Sequence, residues 1–195
     1  MKISKSLLGV LVIAGSLALT GCKGKQKKEE PKVKGETVVE MYCDGPETIS
    51  TKKFLRATGI GESLDKATAM KKSLNEAKTK LAGSVETKIK ATIDNYVNSR
   101  EMNNREQVEE KFEALSREVI NQKLANVITI CKTLTQKNDG SKTYVYYCAI
   151  EMKAGEILDA INDRITKEES LRIDYDYEKF KETFEKEMEK LEKGY

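Results

Sequence analysis

The chain has 195 residues, with 35 Lys and Arg against 32 Asp and Glu, no Trp and no His. A net charge of +3 leaves no basic footprint for nucleic acid. Without histidine there is no Ser/His or Cys/His pair, no His-bound zinc and no axial haem histidine. No acid/base pair, nucleophile constellation or metal-ligand spacing stands out among the remaining residues. A non-enzymatic protein with no cofactor is therefore expected.

The amino terminus opens with Lys2 and Lys5, then 13 predominantly apolar residues from Leu7 to Leu19, then Thr20-Gly21-Cys22. That run is too short to span a bilayer, which needs about 20 apolar residues. The three parts match a bacterial export signal ending in a lipobox. In the pathway this motif resembles, Cys22 becomes an S-diacylglyceryl, N-acylated cysteine after cleavage between Gly21 and Cys22. Residues 1–21 are then a lipoprotein signal peptide, and the anchor's acyl chains give the two-chain attachment that one chain cannot. Lys23 follows the cysteine, and the lack of aspartate there favours the outer membrane under the enterobacterial sorting rule. Residues 22–35 hold six lysines, a proline and two glutamates, which cannot bury a core. They are expected to form a lipidated, Lys-rich tether drawn towards anionic headgroups.

Thr37 to Cys43 is rich in β formers and stops at Asp44-Gly45-Pro46, which predicts a first strand or lead-in. Lys52 to Ile60 predicts a second strand, running into Gly61-Glu62-Ser63. Ser63 suits a helix N-cap, with Asp65 in the first turn. Leu64, Ala67, Met70, Leu74, Ala77, Leu81, Val85, Ile89, Ile93 and Tyr96 then recur at steps of three and four. They predict one face of a long helix, with Gly83 as a possible bend. After a polar break from Asn98 to Asn104, Val108, Phe112, Leu115, Val119 and Leu124 predict a second helix.

Ala125 to Gln136 and Lys142 to Lys153 predict two strands of a hairpin around Lys137-Asn138-Asp139-Gly140-Ser141. A two-residue Asp139-Gly140 turn would set Cys131 opposite Cys148, close enough for a disulfide. A three-residue loop with Gly140 as a bulge would put those cysteines on opposite faces. That second register places Ile128, Ile130 and Leu134 with Tyr144, Tyr146, Cys148, Ile150 and Met152, and hydrophobic patterning favours it. With Cys22 assigned to lipid, Cys43, Cys131 and Cys148 remain, an odd count that allows at most one internal disulfide and leaves one free thiol; buried, unreactive thiols without a bridge are the favoured reading. Ala154 to Ile165 predicts a short helix with Ile157, Leu158 and Ile161 buried. Tyr177 to Lys193 predicts a charged helix with a stripe of Tyr177, Phe180, Phe184, Met188 and Leu191. This stripe either packs on its own domain or meets another subunit.

Three motifs invite a ligand. Gly59-Ile60-Gly61 has the small residues of a phosphate loop but lacks the third glycine of the dinucleotide pattern, so a tight turn is expected. Asp174, Asp176 and Glu178 alternate like calcium ligands, but Lys179 stands where the EF-hand needs glycine. Tyr144, Tyr146 and Tyr147 could line a ligand surface, although sheet packing is the usual role of such residues.

The run Phe54-Leu55-Arg56-Ala57-Thr58-Gly59-Ile60-Gly61-Glu62-Ser63, followed by Ala67, Ala77 and Leu81, resembles the signature stretch of the LPP20 lipoprotein family. The resemblance spans roughly residues 50 to 153. It implies a dodecin-like α+β domain, an antiparallel sheet curled around a long helix; the further helices read from the chain, the second from Asn104 to Leu124 and the charged C-terminal helix, are departures from the family's pattern. The domains so drawn are an LPP20-like unit at 36–165 and a helical tail at 166–195. It also implies a lipid-anchored protein of the outer membrane or cell surface. Some members of that family are surface antigens and others build structures around the flagellar motor. The expected partners are the membrane, through the anchor, and another copy or an envelope protein, but no nucleic acid. Only Cys22 maps as a functional position.

Overall fold

The computed structural model describes Gly35 and residues 39–100 and 104–193; Gly21, Cys22 and nearly all of the tether lie outside them. The first strand of the sheet is β1, Phe54–Ser63, and the first helix is α1, Lys66–Asn98. Then come α2, Arg105–Leu124, β2, Ile128–Gln136, and β3, Tyr144–Lys153. The chain closes with α3, Ala154–Ile165, a single turn α4, Glu169–Arg172, and α5, Tyr177–Lys193. It is an α+β protein with one three-stranded antiparallel sheet in the order β1-β3-β2.

α1 packs on one face of the sheet because two glycines let it come close. Ser73 and Ala77 of α1 lie over Gly59, and Ala69 over Gly61, where a Cβ would fall 2.2 Å from the Ser73 carbonyl oxygen and 2.1 Å from that of Ala69. Gly59 and Gly61 therefore sit inside β1 as a helix-packing seam, and the expected tight turn is not there. The seam also rotates the start of the helix relative to the expected stripe. Ala69, Ser73 and Ala77 are buried, while Leu64 and Met70 are exposed. The N-cap is Asp65, whose carboxylate accepts from the Thr68 N–H at 2.7 Å, displacing the expected Ser63. The hydrogen bonds to Thr68 hold the Asp65 carboxyl below its ordinary range.

With 33 residues α1 is about 50 Å long, whereas the 10-residue β1 spans about 33 Å. Its second half therefore outruns the sheet and needs other cover. α2 and α5 supply it, and α3 packs on both of them. Gly83 causes no break, since α1 is continuous through it. Phe180, Phe184 and Met188 of α5 are buried, so the C-terminal stripe packs on its own domain, within the compact unit Val39–Tyr195. Tyr96, Phe112, Tyr175 and Phe180 form a ring cluster with every pair of centroids between 5.3 and 6.2 Å. This cluster joins α1, α2 and the entry to α5.

The hairpin takes neither expected register. Lys137 donates to the Thr143 carbonyl and Gln136 pairs with Tyr144, leaving five residues in the loop. Its parity matches the favoured register near the turn, with Leu134 opposite Tyr146. A β-bulge between Thr129 and Cys131 then sends Ile128 to the other face, opposite Glu151. Residues 39–43 are not a strand, which corrects the expected Thr37–Cys43 element over the part described.

Candidate functional site

Residues 39–53 form a strap on the sheet face opposite α1, and four contacts trace its path. Cys43 is bonded to Cys131 of β2, with the Cα atoms 5.5 Å apart. The Tyr42 ring meets that of Tyr147 on β3, centroid to centroid 5.4 Å. Ser50 bridges the N–H and carbonyl of Arg56 at the free edge of β1, and the Arg56 guanidinium donates to the Ile49 carbonyl at 2.9 Å. The strap thus reaches all three strands. Cys43 and Thr48 are its buried side chains. Arg56 is held in turn by Glu151 at 2.7 Å, with both side chains mostly buried.

The disulfide overturns the expectation of three unbridged thiols. Among the described residues only Cys148 is free, buried between Gly59 and Ser73, and burial raises its thiol above the ordinary value. The expected absence of a Cys131–Cys148 bridge does hold, because the two residues point to opposite faces. An odd cysteine count signalled that one pair was possible. Nothing local in the sequence placed Cys43 beside Cys131, 88 residues away.

The ligand motifs disperse. Tyr147 faces the strap while Tyr144 and Tyr146 face α1, so the three tyrosines do not converge. Asp176 is the N-cap of α5, accepting from the Lys179 N–H at 3.1 Å and pairing with Arg100 at 3.3 Å. Asp174 offers its carbonyl to the Tyr96 hydroxyl, and Asp176 donates its N–H to the same oxygen at 2.8 Å. These acids build the joint to α5.

Two features escaped the sequence. Asp94 of α1 and Glu109 and Glu113 of α2 bring carboxylate oxygens within 4.8 Å of one another, the group among the described residues that could hold a metal ion. Hydrogen bonding with Asp94, and then desolvation, raises the Glu109 carboxyl above its ordinary value. Lys90 pairs with Glu113 and takes up part of that negative charge. The i,i+4 spacing of Glu109 and Glu113 was visible, but their approach to Asp94 depended on the α1–α2 packing. The second feature is a groove of about 630 Å³ where the ends of β1 and β3 and the start of α3 meet α5. Leu158, Phe184 and Met188 form its base, with Lys52, Lys53 and Lys153 and the carboxylates Glu156, Asp159, Glu185 and Glu189 around it.

Comparison of the chain with protein-family models, curated proteins and solved structures gives no match. Among the described residues no helix is long and apolar enough to cross a membrane.

Proposed function

We propose that this is a lipid-anchored protein of the bacterial outer membrane or cell surface, acting as a non-enzymatic structural or interaction module of the envelope. The observation that carries the reading is Leu19-Thr20-Gly21-Cys22 at the end of a short apolar run behind two lysines. Cys22 bears the lipid, and residues 23–35 tether a unit that begins near Val39. The Cys43–Cys131 bridge supports the same compartment, because disulfides persist in oxidising surroundings outside the cytosol. In this proposal the sheet and α1 form a dodecin-like, LPP20-type domain. The antiparallel sheet with the long α1 packed on one face and the glycine seam support it, while α2, inserted between α1 and β2, is a departure from that pattern. An accessory place in a flagellar or other envelope assembly belongs to the same reading.

The test is to express the full chain in a bacterium and compare it with Cys22→Ala by detergent-phase partition and intact mass. The wild type should enter the detergent phase with the mass of a diacylglyceryl, N-acylated cysteine after loss of residues 1–21. The variant should lack the diacylglyceryl and N-acyl mass and keep its signal peptide, so intact mass separates the two. An unmodified, aqueous wild type would refute the reading.

A second reading, a small-ligand-binding lipoprotein, is favoured by the groove between α3 and α5. Its apolar base and charged rim fit an elongated amphipathic molecule. Native mass spectrometry of the purified chain should then show a bound adduct that Met188→Glu removes.

A further inference from the structure

We propose that the strap face, the outer side of the sheet where residues 39–53 lie, is a membrane-contact surface that rests on the lipid interface. Ten large hydrophobic side chains are exposed among the described residues; Tyr42, Ile49 and Ile128 lie on this face, and Val39 and Met41 precede Tyr42 in the strap. Val39 is 80% exposed, Ile49 61% and Ile128 60%. Exposed apolar side chains gathered on one face mark a contact surface, where scattered ones need no explanation.

The fold holds these residues out. Cys43 and Thr48 occupy the inward positions of the strap, and the disulfide and the Ser50–Arg56 bonds fix it to the sheet. Ile128 joins them because the bulge turns it to the side of Glu151 and Arg56, whose guanidinium holds the Ile49 carbonyl. A tyrosine with its ring half on protein and half in solvent suits an interface, where an apolar body meets a wet hydroxyl.

The position of the strap in the chain selects a lipid surface as the occupant. Val39 follows the acylated Cys22 by only 17 residues, a span of at most about 60 Å. The anchor therefore keeps this segment near the bilayer, and the lysines between them attract anionic headgroups. On the strap itself Glu40, Asp44 and Glu47 oppose Lys52 and Lys53, so its contact is apolar and changes little with salt. The inference rests on the lipoprotein reading for its geometry, but the surface can be tested apart from it.

Because the chain has no tryptophan, a single introduced one reports its own surroundings. Met41→Trp would be placed on the strap and Glu118→Trp on α2, each in the full mature chain. Both would be mixed with vesicles of phosphatidylethanolamine and phosphatidylglycerol, with and without bromine-bearing acyl chains. Met41→Trp should shift to the blue and be quenched several-fold more than Glu118→Trp, with little loss at high salt. Adding Val39→Ser and Ile49→Ser should abolish the effect. Equal quenching at both positions, or a water-like Met41→Trp spectrum at saturating lipid, overturns the proposal. So does a blue shift that needs no lipid and grows with protein concentration, which would assign the face to a second copy. Flotation of the wild type reports the anchor separately. If Cys22 carries no lipid, titration with excess vesicles still decides whether the strap binds them.

Discussion

Replacing Gly59 by alanine tests the account of the sheet–helix seam. The new Cβ would sit 2.2 Å from the Ser73 carbonyl oxygen and 2.7 Å from the Ala77 nitrogen, both backbone atoms of α1. Ordinary contact begins near 3.4 Å, so the helix must retreat by about 1.2 Å or the strand must buckle. Overpacking of this kind costs about 1–3 kcal/mol. The retreat also stretches the buried bond in which the Ser73 hydroxyl donates to the Gly59 carbonyl at 2.8 Å. Leaving such groups unpaired adds about 1–3 kcal/mol. Replacing a strand glycine returns about 0.5–1 kcal/mol of backbone entropy, so the net loss is about 1–5 kcal/mol. That is a large part of a domain stability of about 5–15 kcal/mol. Gly83→Ala is the internal control, because a Cβ there meets nothing within 4 Å and the position is mid-helix. It should gain about 0.5–1 kcal/mol. Urea unfolding followed by circular dichroism, with the disulfide intact, measures both. A Gly59→Ala protein as stable as the wild type would refute the seam.

Further outcomes follow from the packing. Tyr175 has a buried hydroxyl with no partner, so Tyr175→Phe should be neutral or stabilising. Tyr96→Phe instead removes the acceptor of the Asp176 N–H and should cost about 1–2 kcal/mol in thermal or urea unfolding. Burial raises the Tyr175 phenol above its ordinary value of 10.0, so the unfolded chain loses that proton first. Stability should hold below pH 10 and fall as pH rises beyond it, and the fall should be shallower in Tyr175→Phe. Changing Cys43 and Cys131 together to serine opens an 88-residue link and should cost about 2–5 kcal/mol. A non-reducing digest should recover the two cysteines in one linked peptide pair, and Cys148 should alkylate only on unfolding.

The elements that could be read in advance are those whose signal is local. Ala154–Ile165 and Tyr177–Lys193 match their expected bounds because each carries its own amphipathic period between polar segments. What could not be read depends on tertiary contact. The start of α1 carries two possible stripes, Ala67-Met70-Leu74 and Ala69-Ser73-Ala77. The smaller residues face the sheet because only they fit against Gly59 and Gly61. The bulge near Ile130 reverses the face of Ile128, which no alternation pattern reveals. The strap fails as a strand for the same kind of reason, since Cys43 is committed to Cys131 and Ser50 to Arg56.

The edges of the sheet show what the strap does for the fold. An antiparallel sheet of three strands has two free edges, each a template for unwanted pairing. That of β1 is closed by Ser50 on Arg56, by the Glu76 carboxylate accepting from the Ile60 N–H, and by Lys72 donating to the Glu62 carbonyl. The edge of β2 instead carries a bulge and Lys132, which discourage a further strand. The disulfide fixes the strap to that second strand while Ser50 holds it at the first. One short segment therefore covers the outer face and ties both edges. In the proposed route the precursor crosses from a reducing cytosol, where Cys43 and Cys131 stay apart, into an oxidising envelope where they join. The strap would then lock only after export, on the side of the membrane where its apolar residues have a surface to meet.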